Sequence, residues 1–230
     1  MAVQDFKERV RQVAIEQAKV YEQVFLRHEY LLCSEAFHSQ PYYIISAHAD
    51  NYRHLVGVNT RFSAEIFFKK CLDGTLVEND FDFCKRGQSE KEVKGAVRDK
   101  IIVLPNFLSM VSSSLSAEES FVKGRVHCNF AAADSGATVG FIASDKSKPM
   151  TLLRGNRLDP SKSASVDLIL RRSTGASFFD EIVYGNERML AEYRERIKML
   201  LAENLKETKE LQPIFTEGGK AVEFFTEIFL

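Results

Sequence analysis

The chain has 230 residues, 45% of them hydrophobic and 27% charged, with 31 basic and 32 acidic side chains and a formal net charge of -1. That composition belongs to a folded globular protein and excludes a largely disordered chain. The charge balance excludes a protein that coats nucleic acid by bulk attraction, though it leaves room for a local basic groove.

At this length one large domain, or one domain with helical additions, buries enough surface to fold without staples. Cys33, Cys71, Cys84 and Cys128 are scattered, with no CxxC pair. They read as reduced thiols and not as a zinc set. No apolar run approaches the ~20 residues that span a bilayer. The N-terminus lacks the basic start and apolar core of a signal peptide. A cytoplasmic protein without a membrane partner is the expectation.

Residues 4–38 predict one long helix. Phe6, Val10, Val13, Val20, Val24 and Leu31 recur at spacings of three, four or seven, with Lys7, Glu8, Arg11 and Glu16 on other faces. Residues 42–47 follow Pro41 and are aromatic and β-branched, so a strand is expected. Ala49, Asp50 and Asn51 predict a turn. The run from His54 to Val58 predicts a second short strand, with Gly57 inside it marking a bulge or a close backbone approach. Ser63 is placed to cap a helix bearing Ile66, Phe67 and Cys71, ended by Asp73 and Gly74.

Residues 91–104 predict a helix with Val93, Val97, Ile101 and Leu104 on one stripe, and Lys94 and Arg98 one turn apart. Residues 105–120 read as a serine-rich break opened by Pro105. Residues 121–184 are strand-like. Runs at 121–133 and 138–143 are joined by a hairpin turn at Asp134, Ser135 and Gly136. Thr151, Leu152 and Leu153 follow Pro149. Between 165 and 173, Val166, Leu168 and Leu170 alternate with Asp167, Ile169 and Arg171. A turn at Gly175 leads to a last run at 178–184. Short turns between strands imply an antiparallel sheet. Residues 186–209 predict a second long helix, with Leu190, Tyr193, Ile197, Leu200 and Leu201 as its stripe. The apolar tail at 221–230 should dock on this chain or on a partner.

His54 is the leading candidate for chemistry, because imidazole gives and takes protons near neutral pH. A histidine beside an apolar run is also the pattern of a packed, hydrogen-bonded residue. No GxxxxGK[ST], HExxH or GxSxG sequence is present, and the carboxylates form no evident metal cluster. Residues 145–172 hold seven bases and three acids, an excess of +4 in a chain of net charge -1. Basic turns and strand ends of that kind can line a groove for a phosphate backbone.

Several short motifs recur in a telling order. They are His54-Leu55-Val56-Gly57, Phe67-Phe68-Lys69-Lys70, Gly74-Thr75-Leu76, a lysine-bearing helix with Lys91 and Lys94, Gly140-Phe141, Pro149 followed by Thr151-Leu152-Leu153, and Glu181-Ile182-Val183-Tyr184. Over residues 41–184 this order resembles the phage-borne fourth family of Barnase–EndoU–colicin–RelE-like (BECR) nucleases.

The resemblance implies an α+β fold, with helices leading into a small antiparallel sheet; the long helices expected at both ends from periodicity lie outside it. The chain then divides into a helical segment at 1–40, a nuclease domain at 41–185 and a helix with apolar tail at 186–230. It implies metal-independent RNA cleavage with no cofactor. The family histidine maps to His54, its hydroxyl to Thr151 where serine is the usual residue, and its basic position to Arg171 or Arg172. Tyr184 is expected to help hold a phosphate oxygen. Arg61, Lys94, Arg154 and Arg172 are expected to bind the substrate. RNA, an antitoxin or immunity protein and a second copy of the chain are the partners considered. A nuclease-like scaffold that binds RNA or protein without cleaving it is the alternative.

Overall fold

The computed structural model describes residues 5–124, 126–143 and 146–207. The chain opens with α1 (Phe6–Tyr21), extended by a π-helical turn (Glu22–Leu26), and then enters β1 (His28–Cys33). It continues through β2 (Tyr43–Ile45), α2 (Asn51–Val56), β3 (Asn59–Thr60), α3 (Ala64–Leu72) and β4 (Phe81–Asp82) to α4 (Glu90–Ser109). The strands β5 (Ser116–Glu119), β6 (Val122–Lys123), β7 (Val126–His127), β8 (Phe130–Ala133), β9 (Ala137–Ala143) and β10 (Ser147–Arg154) follow. Last come β11 (Ala164–Ser165), β12 (Leu168–Ser173), β13 (Glu181–Tyr184), α5 (Glu187–Ile197) and α6 (Glu203–Lys206).

The fold is α+β, on a sheet of nine strands in the order β11-β5-β8-β9-β10-β2-β1-β12-β13. The sheet is larger than expected and mixed. Every pairing is antiparallel except that of β10 with β2, which runs parallel at Ser147 and Ile45. The hairpin between β8 and β9 forms as its turn residues require, with Asp134 Oδ1 accepting from the N–H groups of Gly136 and Ala137, both at 2.7 Å.

Alternation along the strands sorts side chains between two faces. Tyr30, Leu32, Ile169, Leu152, Val139 and Phe141 join the main core, beneath α1 to α4. Leu31, Cys33, Leu168 and Leu170 pack on the other face, against Leu190, Tyr193, Ile197 and Leu201 of the C-terminal helical region. The main core draws on residues from Val10 to Ile169.

The single helix expected at 4–38 is not formed. Residues 28–33 are a strand instead, and Tyr30 to Cys33 are all buried. A run buried on both faces has no strand periodicity, so it reads equally as helix. The true buried stripe of α1 is Val10, Ala14, Ala18 and Tyr21, while Val20 is 36% exposed. The strand expected at His54 is also corrected, since residues 51–56 are helical, and Gly57 at φ +88° ends that helix in the left-handed conformation that glycine tolerates.

The break expected at Pro105 is absent, because α4 runs through it. Val103 and Leu104 before the proline and Phe107 and Leu108 after it are all buried, and Phe107 stacks on Phe25 at 4.6 Å. That burial outweighs the hydrogen bond the proline cannot donate. Ser63 and Ser89 cap α3 and α4 as their side chains allow, each accepting a backbone N–H at 3.3 Å. The expected C-terminal helix is shorter, ending at Ile197 before a 3-10 turn and α6, and residues 208–230 with the apolar tail lie outside the described residues.

Candidate active site

His54 projects from α2, a helix of six residues that Tyr52, Leu55 and Val56 anchor in the main core. Those buried neighbours leave His54 and Arg53 on the outward side. The same helix packs against β10 and α4.

Lys100 of α4 lies across the end of α2 and donates from Nζ to the His54 backbone carbonyl. Its aliphatic stem crosses Gly57. A Cβ added at that glycine would stand 2.7 Å from Lys100 Cδ. Gly57 therefore serves two needs, a left-handed helix end and a passage for the lysine stem. The bulge or close backbone approach expected at this glycine is not what forms; a side chain crosses it, at a helix end.

The electrostatics follow from this crowding. Burial first, and the charge of Lys85 second, push the Lys100 ammonium down to about 7. Lys85, in the turn before α4, is also held below the ordinary lysine value by desolvation and by Arg53. His54 is held below its ordinary 6.5 by partial desolvation, then by Arg53 and Lys100, with Asp50 pulling weakly the other way. None of Arg53, Lys85 and Lys100 forms an ion pair with a carboxylate among the described residues. The imidazole, its pKa lowered, is neutral at neutral pH, and Arg53, Lys85 and Lys100 all lie near enough to act on it.

The other expected site residues lie elsewhere. Arg154, at the end of β10, reaches Asp99 of α4 at 3.6 Å, next in sequence to Lys100. Lys94 pairs with Glu90 at 2.7 Å and covers the Phe83 ring. Arg61 is exposed and lies over the Phe62 ring at 5.1 Å. Thr151 faces away from α2. A Cβ on Gly140 would meet both its methyl, at 2.9 Å, and the Cys128 sulfur of a small apolar cluster on the far face.

Arg171 is engaged by Glu181 at 2.5 Å, and Arg172 is buried with Glu29 at 2.7 Å and the Phe179 ring at 4.4 Å. Both stand on β12, three strands from β10 and about 14 Å away at normal sheet spacing. Tyr184 is half-buried on the edge strand β13, opposite Ile169. The structure thus gathers Arg53, Lys85 and Lys100 around His54, brings Arg154 to the neighbouring turn of α4, and does not bring Thr151, Arg171, Arg172 or Tyr184 there.

Arg53, Lys85 and Lys100 were missed by sequence reasoning. Lys100 had a readable signal. It falls three residues after Val97 and four before Leu104, so a charge intrudes at the margin of an apolar stripe.

Among the described residues, no helix is long and apolar enough to cross a membrane, and no three His, Cys, Asp or Glu gather as metal ligands. A family model described as phage-Barnase-EndoU-ColicinE5/D-RelE like nuclease4 matches residues 15–153. The match begins inside α1 and ends within β10, so it takes in His54, Lys85 and Lys100 and leaves out β12 and β13. Searches of curated proteins and of solved structures found no match.

Proposed function

Because the chain belongs to this family of phage BECR-type nucleases, we propose that it is a metal-independent endoribonuclease whose reacting centre is His54 with Lys100, Lys85 and Arg53. The observation that carries this reading is the packing of α2 on α4, which lays Lys100 across Gly57 onto the His54 backbone carbonyl, with the His54 pKa lowered and that of Lys100 pushed down to about 7 beside it. Strongly perturbed groups collected at one surface are the mark of a working site. A cationic surround also repels a divalent metal while it attracts a phosphodiester, which supports a route through the side chains alone.

In that route neutral His54 takes the proton from a ribose 2′-hydroxyl. The 2′-oxygen bonds to phosphorus as the bond to the 5′-oxygen breaks. The Lys100 ammonium gives its proton to the departing 5′-oxygen, leaving a 2′,3′-cyclic phosphate and a 5′-hydroxyl. Lys85 and Arg53 neutralise the charge that builds on the phosphoryl oxygens. Here Lys100 and its neighbours take the roles that the sequence alone assigned to Arg171, Arg172 and Thr151. Arg154 holds the strand beside the centre. Action in a bacterial cytoplasm as a toxin, restrained by an antitoxin or immunity protein, fits a nuclease of phage origin.

The test is cleavage of RNA in excess chelator. The parent protein is expected to produce cyclic-phosphate ends, and His54→Ala to lower the rate by about 10²–10⁴-fold with unchanged circular dichroism. Salt-sensitive RNA binding without products would instead identify a non-cleaving scaffold. The rate should be bell-shaped in pH. Its acid limb, from protonation of His54, should lie below 6.5, and its alkaline limb, from loss of the Lys100 proton, near 7. Lys100→Arg should lower the rate and remove the alkaline limb, because guanidinium keeps the charge but does not give up its proton.

A further inference from the structure

The basic stretch at 145–172 does not converge on His54. Part of it builds a separate cleft of about 220 Å³ on the far side of the sheet, lined by Lys123 of the β6–β7 hairpin, Arg157 and Lys162 of the loop after β10, Ser120, and the carboxylates of Glu118 and Asp159. Glu118 belongs to β5 between Ala117 of the main core and Glu119, so it faces away from the helices.

The cleft is firmly framed. The buried Glu118 accepts from the Asp159 N–H at 2.7 Å. Asp159 accepts from the Ser161 N–H and hydroxyl and pairs with Lys162 at 3.9 Å. The Arg157 backbone is tied to Thr138 at 2.8 Å, and its Nε donates to the Arg154 carbonyl at 2.7 Å. With Lys162 paired to Asp159, Lys123 and Arg157 are the lining cations that have no ion pair to a carboxylate among the described residues, and three cations against two carboxylates leave the cleft one net positive charge. The volume falls below the roughly 300–1,000 Å³ of a pocket that encloses a whole small molecule. It suits one unit of a longer polyanion.

Arg154 connects the two places. Its side chain meets Asp99, beside Lys100 on α4, and its carbonyl receives Arg157 of the cleft. Arg154, paired with Asp99 beside Lys100, and Arg157, bonded to the Arg154 carbonyl, thus follow one another between the α4 side of β10 and the cleft of Lys123 and Lys162.

We propose that the cleft of Lys123, Arg157 and Lys162 is a remote subsite that holds a backbone phosphate of the RNA strand whose scissile bond lies at His54, with the strand crossing Arg154 between them. This rests on the ribonuclease reading for the identity of the strand, and the track of cations supplies the path.

The experiment uses the full chain and a single-stranded RNA of about a dozen nucleotides, a length within the range that one such surface covers. In the His54→Ala background, Lys123→Ala with Lys162→Ala is expected to weaken binding, read by fluorescence anisotropy, by about tenfold. The slope of log affinity against log salt should fall by about 1.4, two contacts at about 0.7 each. With His54 intact, the same pair of substitutions should leave cleavage of a dinucleotide unchanged, because a dinucleotide cannot reach the cleft. Both lysines are exposed, so the fold is not at stake.

Unchanged affinity and salt slope for the long strand would overturn the subsite, as would an equal loss on the dinucleotide. If the parent cleaves no RNA while the two lysines still govern binding, the reacting centre is what fails and the binding surface stands.

Discussion

Two groups of charges on opposite faces of the sheet are built on opposite terms. On the face of α5, the buried carboxylate of Glu29 takes Arg172 at 2.7 Å and Lys146 at 2.5 Å, and Arg172 rests on the Phe179 ring. Desolvation raises the Glu29 pKa, but the hydrogen bonds from Lys146 and Arg172 more than offset it, and the value ends below the ordinary carboxylate range. On the face of α2, Arg53, Lys85 and Lys100 crowd His54 with no carboxylate paired to them. In the first group both cations are paired to one carboxylate, which ties β1 to β12 and to the segment before β10. The second leaves like charges close together with no carboxylate to offset them, the arrangement on which the proposed function rests.

The contrast predicts that the two groups fail differently. The largest expected effect on stability is at Glu29. Glu29→Gln keeps the shape but strips a buried guanidinium of its counter-charge, so a loss of about 3–5 kcal/mol in urea denaturation is expected, with cleavage per folded molecule little changed. Acid should act in the same direction. A depressed carboxylate contributes stability that is complete above its unfolded pKa, about 4.5, and is lost as pH falls through the lower folded value. A cleavage defect larger than the stability defect would place Glu29 in the function and end the contrast.

Lys100 should behave the other way. Its pKa is about 7 in the folded chain against an ordinary 10.5, so the unfolded state holds more protons between those values, and folding gains stability as pH rises through that window. Lys100→Met keeps the hydrocarbon over Gly57 and removes the charge. One unit of depression is worth about 1.4 kcal/mol and the lost hydrogen bond about 1 kcal/mol. The variant is therefore expected to be more stable than the parent at pH 7, to lose that advantage towards pH 10, and to cleave RNA at least tenfold more slowly. A variant that is destabilised at pH 7 would mean that the lysine is held by a favourable contact and not pressed into place.

How far this division could be read from the chain follows from the range of each interaction. Ser63 before α3 and the turn at Asp134 are local signals, complete within four residues, and the structure keeps them. β1 escaped because Tyr30 to Cys33 are buried on both sides, and α2 because six residues are too few to show a helical period. The parallel join of β10 to β2 has no local signature at all. The candidate centre is harder still. His54 was visible as a residue type, but its lysine lies 46 positions away, and only the packing of α2 on α4 brings them together. Arg171 and Arg172 looked like free cations in sequence because their carboxylates, Glu181 and Glu29, are separated from them by 10 and 143 positions.

The smallest effect isolates the contact on which the second group depends. Gly57 and Gly74 both end helices at positive φ, +88° and +71°, but a Cβ on Gly74 meets nothing within 4 Å, whereas one on Gly57 meets Lys100 Cδ at 2.7 Å. Alanine at either position forces a side chain into the left-handed region, at about 1 kcal/mol, and thermal denaturation should show that common loss in both. Only Gly57→Ala must also push the Lys100 stem aside. Moving the ammonium outward into water and away from Lys85 would return its pKa towards 10.5, so the alkaline limb of the cleavage profile should move up in Gly57→Ala and stay in place in Gly74→Ala. Equal profiles for the two variants would show that Lys100 owes its state to burial over the whole of α4, and that the glycine at the end of α2 is required for the turn alone.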